Sequence, residues 1–461
     1  MTIETRLSLS AGLRAALAAA SGFPGFKPWT GHCRRRFFGN ALVLGLLLGF
    51  SPVLPGQTTW TGATDTDWSN ASNWTAGVPT ASDHAIIPNV TNAPVILAGT
   101  AAVANSVHVQ TGGSLTIQNT GSLTINGFFS HGIFTAGFRN QGTVANSGEL
   151  ILGSTSSVGD YGLLNYATFQ NNSGGHIRID RSSGVGLVNV SGTFTNAAQI
   201  TIGSTSSVGF FGLLNDATFQ NNSGGHIRID RSSNIGLYNF FFSGTFTNAA
   251  QITIGATSSV GDYGLWNEAT FQNNACAEIY QYAPLFNNNT FTNSGLMLVG
   301  TTNAHSNTAL TNNGIIAYPQ GNPIPNVTNN EIIIALTSSG DCQSVGPAFG
   351  LGSPVDFTIV GVFTDAGATT SAGTYSVATN TFTPSPPLAD DTSYDLYVKI
   401  NAGSCDRIVP WTVTVDDNLP PSATCQDVTV SLDGSGNASL APASVFASGT
   451  DNCGTVNPAS V

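Results

Sequence analysis

The chain has 461 residues, a net charge of −12 and only 8% charged residues. So few cations exclude the broad basic surface that nucleic-acid binding needs. Solubility must rest on Asn, Thr, Ser and Gly, as in many extracellular β-proteins, and the length leaves room for roughly two to four domains.

Residues 1–56 read as a leader. Arg34, Arg35 and Arg36 precede an apolar run at 41–50, followed by Ser51-Pro52 and Pro55-Gly56. A basic region, a short apolar segment and a polar exit form the pattern of a signal peptide. The run is too short for a typical spanning helix. The expectation is export to the cell exterior or outer surface, with no transmembrane span in the mature chain.

Residues 57–130 read as short strands between turns, a small β module that caps the repeats downstream of it. Trp60, Trp68 and Trp74 lie close together, either as an aromatic core or as a stacking surface for sugar rings. Asp65 and Asp67 beside them offer carboxylates for calcium. The pattern W-x-G…D-W…N-W…G-x-P-T…D resembles the start module of secreted repeat proteins of the Bacteroidota. That resemblance implies a β-helical stretch after it.

Residues 131–325 contain that stretch. ATFQNNSGGHIRIDRSS occurs at 167–183 and again, unchanged, at 217–233. Gly153, Gly203 and Gly255 each open a G-[SA]-T-S-S-V-G segment, at spacings of 50 and 52 residues. Within that period G-L-x-N recurs at Gly162, Gly186, Gly212, Gly236 and Gly264, with T-F-x-N after it each time. The unit is therefore about 25 residues long, in two alternating versions, which is the signature of a stacked array. L-x-N, T-F-x-N and I-x-I alternate like strands, and Gly, Asn and Ser clusters between them supply turns. Three strands per unit predict a right-handed parallel β-helix with Leu, Phe and Ile inside. Asn165, Asn189, Asn215, Asn239 and Asn267 should form one amide ladder, and Asn171, Asn196, Asn221, Asn248 and Asn273 another.

Beyond the array the Asn/Gly period ends. Residues 331–416 hold strands at the spacing of an immunoglobulin-like β-sandwich. Residues 421–461 come after a Pro-rich linker. Their P-x-A-x-C-Q-D-V-T-V-x-L-D-x-x-G-N-A-S…D-N-C-G pattern resembles hyalin-repeat (HYR)-like modules of the same secreted proteins. It implies an adhesion or spacer module, about half complete where the chain ends at Val461, as in a truncated product. The expected disulfides are the sequence-local ones, Cys342 with Cys405 and Cys425 with Cys453, leaving Cys276 over. No His/Cys spacing suggests a metal or cofactor. Asp433 and Asn437 read as a hairpin turn.

The candidate surface lies on the array. With Ile177 and Ile179 inward, His176, Arg178 and Asp180 should point out, joined on later turns by Thr201, then His226, Arg228 and Asp230, then Thr253, then Tyr280. This stripe would suit glycans or cell-surface and matrix components, bound by many weak contacts along a rigid face. The expected role is a non-enzymatic adhesin or structural repeat protein, with no catalytic residue assigned. The alternative is a polysaccharide-degrading hydrolase or lyase. Asp180 and Asp230, two layers or about 9.6 Å apart, approach the carboxylate spacing of inverting glycosidases.

Overall fold

The computed structural model describes residues 56–456, except 133, 241–243, 258–259, 320–321, 347, 352–357, 402–404, 418 and 455. Apart from Gly56, the expected leader lies outside the described residues. Three long sheets of 12, 11 and 12 strands form a parallel β-helix. Each turn gives one strand to each sheet. Tyr161–Asn165, Thr168–Asn171 and His176–Ile179 make one turn. Val185–Asn189, Thr193–Asn196 and Gln199–Ile202 make the next. Leu163 pairs with Leu187, Phe169 with Phe194 and Ile177 with Ile200, so like residues stack.

The stacking determines the core. Phe169, Phe194, Phe219, Phe246 and Phe271 lie face to face, with neighbouring centroids 4.7–4.9 Å apart. Each is fully buried, a contribution of about 1.5–3 kcal/mol. Both expected Asn ladders are present and longer than expected. One runs from Asn140 to Asn307 through Nδ2–H···Oδ1 bonds of 2.7–2.9 Å. The other runs from Asn146 to Asn329 at 2.7–2.8 Å. Each amide sits at a corner where backbone groups leave the sheets, and bonds them as well as its neighbour, so it can be buried without loss. The glycine of G-L-x-N is there for space. A Cβ on Gly186 would lie 2.6 Å from the carbonyl oxygen of Gly212 and 2.8 Å from Ile202 Cγ2.

The region expected as a separate N-terminal module is the start of the same array. Gly56–Thr59, Asp83–Ile87 and Ser106–Val109 are the first strands of one sheet. The tryptophans are buried, at 0–5% exposure, and meet edge to face at 5.0 and 4.7 Å. They cover the first turns and offer no face to a sugar. Asp65 is held by Asn70 and Asn73, which stiffen the loop.

At the other end the array runs past residue 325. Val327–Asn329 pairs with Leu310–Asn312, and Ile332–Ala335 with Ile315–Tyr318. The segment expected as a sandwich contains a four-stranded sheet, with Thr337–Gly340, Arg407–Val415, Ser393–Asn401 and Thr358–Phe363 adjacent in that order. It also holds a short ribbon, Gly373–Ser376 with Thr381–Pro384. Trp411, Phe382 and Val398 of this segment share one apolar cluster with Leu296, Leu298, Ile315, Ala317, Ile332 and Ile334. Those six side chains point outward from the I-x-I sheet, while Met297 and Ile316 point into the solenoid core. The last turns are therefore apolar on both faces because a second layer covers them. Ser422–Cys425 and Phe446–Thr450 form a small separate ribbon.

The disulfides correct the expected pairing. Cys276 is joined to Cys405 and Cys342 to Cys453, and Cys425 is free and exposed. Sequence proximity was the wrong guide because the four-stranded sheet lies against the array. Arg407 reaches Glu278 at 3.5 Å and donates to the Cys276 carbonyl, which brings Cys405 to Cys276. Asn452 bonds Asp341 at 2.9 Å and brings Cys453 to Cys342.

Candidate polar cleft on the I-x-I sheet

The outward positions of the I-x-I strands fall into two columns set by register. One reads Glu149, His176, Gln199, His226, Gln251 and Glu278; the other reads Ile151, Arg178, Thr201, Arg228, Thr253 and Tyr280. Beyond Tyr280 the columns turn apolar, where the second layer begins. Upstream of that boundary lies a cleft of about 430 Å³, lined by His176, Arg178, Gln199, Thr201, Ser204, His226, Arg228, Asp230 and Thr257.

The same set occurs twice, two turns apart. His176 Nε2 lies 3.0 Å from Thr201 Oγ1, and His226 Nε2 lies 3.2 Å from Thr253 Oγ1. Burial lowers the pKa of both histidines, and Arg178 and Arg228 respectively lower it further. Both imidazoles are thus neutral at pH 7. Arg178 pairs with Glu149 at 3.4 Å, and Arg228 Nε bonds Asp230 at 2.8 Å. The two guanidinium side chains remain 38% and 39% exposed. Tyr280 closes the stripe; burial and Glu278 push its hydroxyl pKa up to about 12.

The aspartates depart from the expected stripe. The strands end at Ile179 and Ile229, and the next residues turn away. Asp180 is 4% exposed and accepts from the backbone N–H of Thr205 at 3.0 Å and of Ser206 at 3.3 Å, and from the Ser204 hydroxyl at 3.3 Å. Asp230 is 2% exposed and, besides Arg228, accepts from the Thr257 hydroxyl at 2.8 Å. Of the two, only Asp230 lines the cleft. Their neighbours work in the opposite direction: Arg181 donates to the carbonyls of Gly153 and Ser154, and Arg231 to those of Gly203 and Ser204. Each D-R pair clips the loop one turn before and the loop one turn after. This explains the 50-residue superperiod, since clip turns and clipped loops must alternate.

Sequence reasoning missed Glu149, which pairs with Arg178, and Ser204 and Thr257, which line the cleft. The last two lie in the G-[SA]-T-S-S loops, which come directly after an I-x-I strand. It also missed an outward aromatic run on the G-L-x-N sheet. There Tyr238, Trp266 and Phe286 follow one another in tilted contact, with centroids 5.6 and 4.2 Å apart. The x position of G-L-x-N, reading Leu, Val, Leu, Tyr, Trp, carries that signal. Among the described residues, the group with gathered metal-ligand atoms is Asp341, Cys342 and Cys453. Its two sulfurs are bonded to each other.

A family model described as a domain of unknown function (DUF8693) matches residues 59–183, from the Trp-bearing loop to the first D-R clip. Comparison with curated proteins and with solved structures gave no match. The two disulfides are consistent with an extracellular protein, and no helix among the described residues is long and apolar enough to cross a membrane.

Proposed function

We propose that this is an exported, non-enzymatic adhesion or structural repeat protein. In this reading it meets glycans of a cell surface or matrix through the polar face of its I-x-I sheet. The observation that carries it is the duplicated His/Arg/Thr set on a rigid, register-locked surface. Repetition of like weak sites raises avidity without any new contact. The HYR-like sequence after residue 421 supports the same class of role. The fold alone does not decide function.

The carboxylates bear on chemistry. Asp180 is turned into a loop and bonded three times, an arrangement suited to holding structure rather than to moving protons at a substrate. The test is to incubate the full chain with plant, algal and microbial polysaccharides and measure both retention and new reducing or unsaturated ends. Retention without new ends is expected. New ends that vanish in Asp180→Asn or Asp230→Asn would replace this reading with a glycan-cleaving enzyme.

A further inference from the structure

We infer that the cleft on the I-x-I sheet selects a linear acidic glycan and holds two of its anionic groups, one on Arg178 and one on Arg228. This rests on the reading of that face as a glycan-binding surface and adds the ligand's charge and spacing.

Most arginines of the described chain are engaged in structure. Arg139 lies over the Tyr166 ring, Arg181 and Arg231 hold loop carbonyls, and Arg407 ties the four-stranded sheet to Glu278. Arg178 and Arg228 alone among them line the cleft. In a chain of net charge −12, two guanidinium groups in one groove mark a local preference for anions.

Both guanidinium groups have donor capacity to spare. Arg228 uses Nε on Asp230 and Nη2 on Thr257, and Nη1 has no partner among the described residues. Arg178 uses Nη1 on Glu149, at the long distance of 3.4 Å. Each planar fork keeps N–H groups for a carboxylate or sulfate oxygen. The one acid in the lining, Asp230, has a side chain only 3% exposed and faces Arg228 rather than the open groove.

Register sets the spacing of the two cations and the limits of the site. Arg178 and Arg228 occupy the same column with Thr201 between them, two layers or about 9.6 Å apart. Gln199, Thr201, Ser204 and Thr257 offer neutral hydrogen-bonding groups between and beside them, as the hydroxyls of a sugar chain require. Glu149 and Glu278 stand at the two ends of the neighbouring His/Gln column, the latter beside the covering layer. The site is therefore short, with room for two anionic groups.

The test is calorimetric titration of the full chain with size-graded oligogalacturonates, with their methyl-esterified counterparts of equal length, and with a sulfated oligosaccharide series. Affinity should rise with length until both arginines are engaged and then level off. Binding should weaken with salt. The esterified series should bind at least about tenfold more weakly, and Arg178→Gln or Arg228→Gln should each lose about tenfold, as expected for one charge-assisted contact. Arg228→Lys, which keeps charge but not the fork, should fall between. Stronger binding by the carboxylate or the sulfate series identifies the group, and either result supports the inference. Melting temperatures near that of the parent show that the variants are folded. Equal binding of acidic and esterified oligomers, or folded Gln variants that bind like the parent, would overturn the acidic preference while leaving glycan binding in place. No binding by any polysaccharide of the broader panel removes the underlying reading as well.

Discussion

At the residue scale, this fold depends on small polar side chains as much as on apolar ones. Asn196 donates to Asn221 Oδ1 at 2.8 Å and to the Ala198 carbonyl at 3.0 Å, and accepts from Asn171 at 2.7 Å. Asn196→Ala leaves those partners buried and unsatisfied. We expect a loss of at least ~2 kcal/mol, read from chemical denaturation, against ~0.5 kcal/mol or less for exposed Gln199→Ala. Gly186→Ala should cost ~1–3 kcal/mol by forcing two turns apart. His176 and His226 set an acid limit. Their folded pKa values lie below the unfolded 6.5, so the folded state resists protonation. Their contribution is fully present above about pH 6.5 and is lost as pH falls through the folded values. The parent's melting temperature should therefore fall more steeply below pH 6.5 than that of a His176→Gln, His226→Gln double variant; parallel curves would contradict this.

At the element scale, the turn is the unit and its two versions interlock. The Asn ladders, the Phe stack and the inward Ile columns were legible in the sequence because a 25-residue period with unshifted register puts like residues on top of one another. The aspartates were not. Strict alternation after Ile177 and Ile179 places Asp180 outside, but the strand stops at Ile179 and Arg181 takes a left-handed conformation, φ 54°. The chain bends there, and Asp180 reaches the next turn instead of solvent. Asp180→Ala should free the N–H groups of Thr205 and Ser206, speed their amide exchange and cost about 1–3 kcal/mol. Because a stacked array shares its stability between neighbouring turns, the loosening should stay near residues 203–207. Loss of protection throughout the array would show that the clip has a wider role.

At the scale of the whole molecule, the first and last turns of the array are covered by different means. The N-terminal turns are covered by a Trp-bearing loop, and the outer face of the last turns by a second β layer. That layer was hidden in the sequence because Leu296, Leu298, Ile315 and Ala317 fall in worn repeats, where outward apolar residues look like decay rather than an interface. The same oversight produced the wrong cysteine pairs. Peptide mapping without reduction should recover Cys276 linked to Cys405 and Cys342 linked to Cys453, with Cys425 open to alkylation. Replacing Cys276 and Cys405 together by Ser should lower stability by about 2–5 kcal/mol.

If the polar columns upstream of Glu278 form the binding face, a bound glycan must shield them from solvent. Hydroxyl-radical footprinting of the full chain, with and without the polysaccharide it retains best, tests this directly. Protection confined to His176, Arg178, Gln199, Thr201, His226 and Arg228 is the predicted result. Protection centred instead on Tyr238, Trp266 and Phe286 would place the ligand on the G-L-x-N sheet and contradict the account.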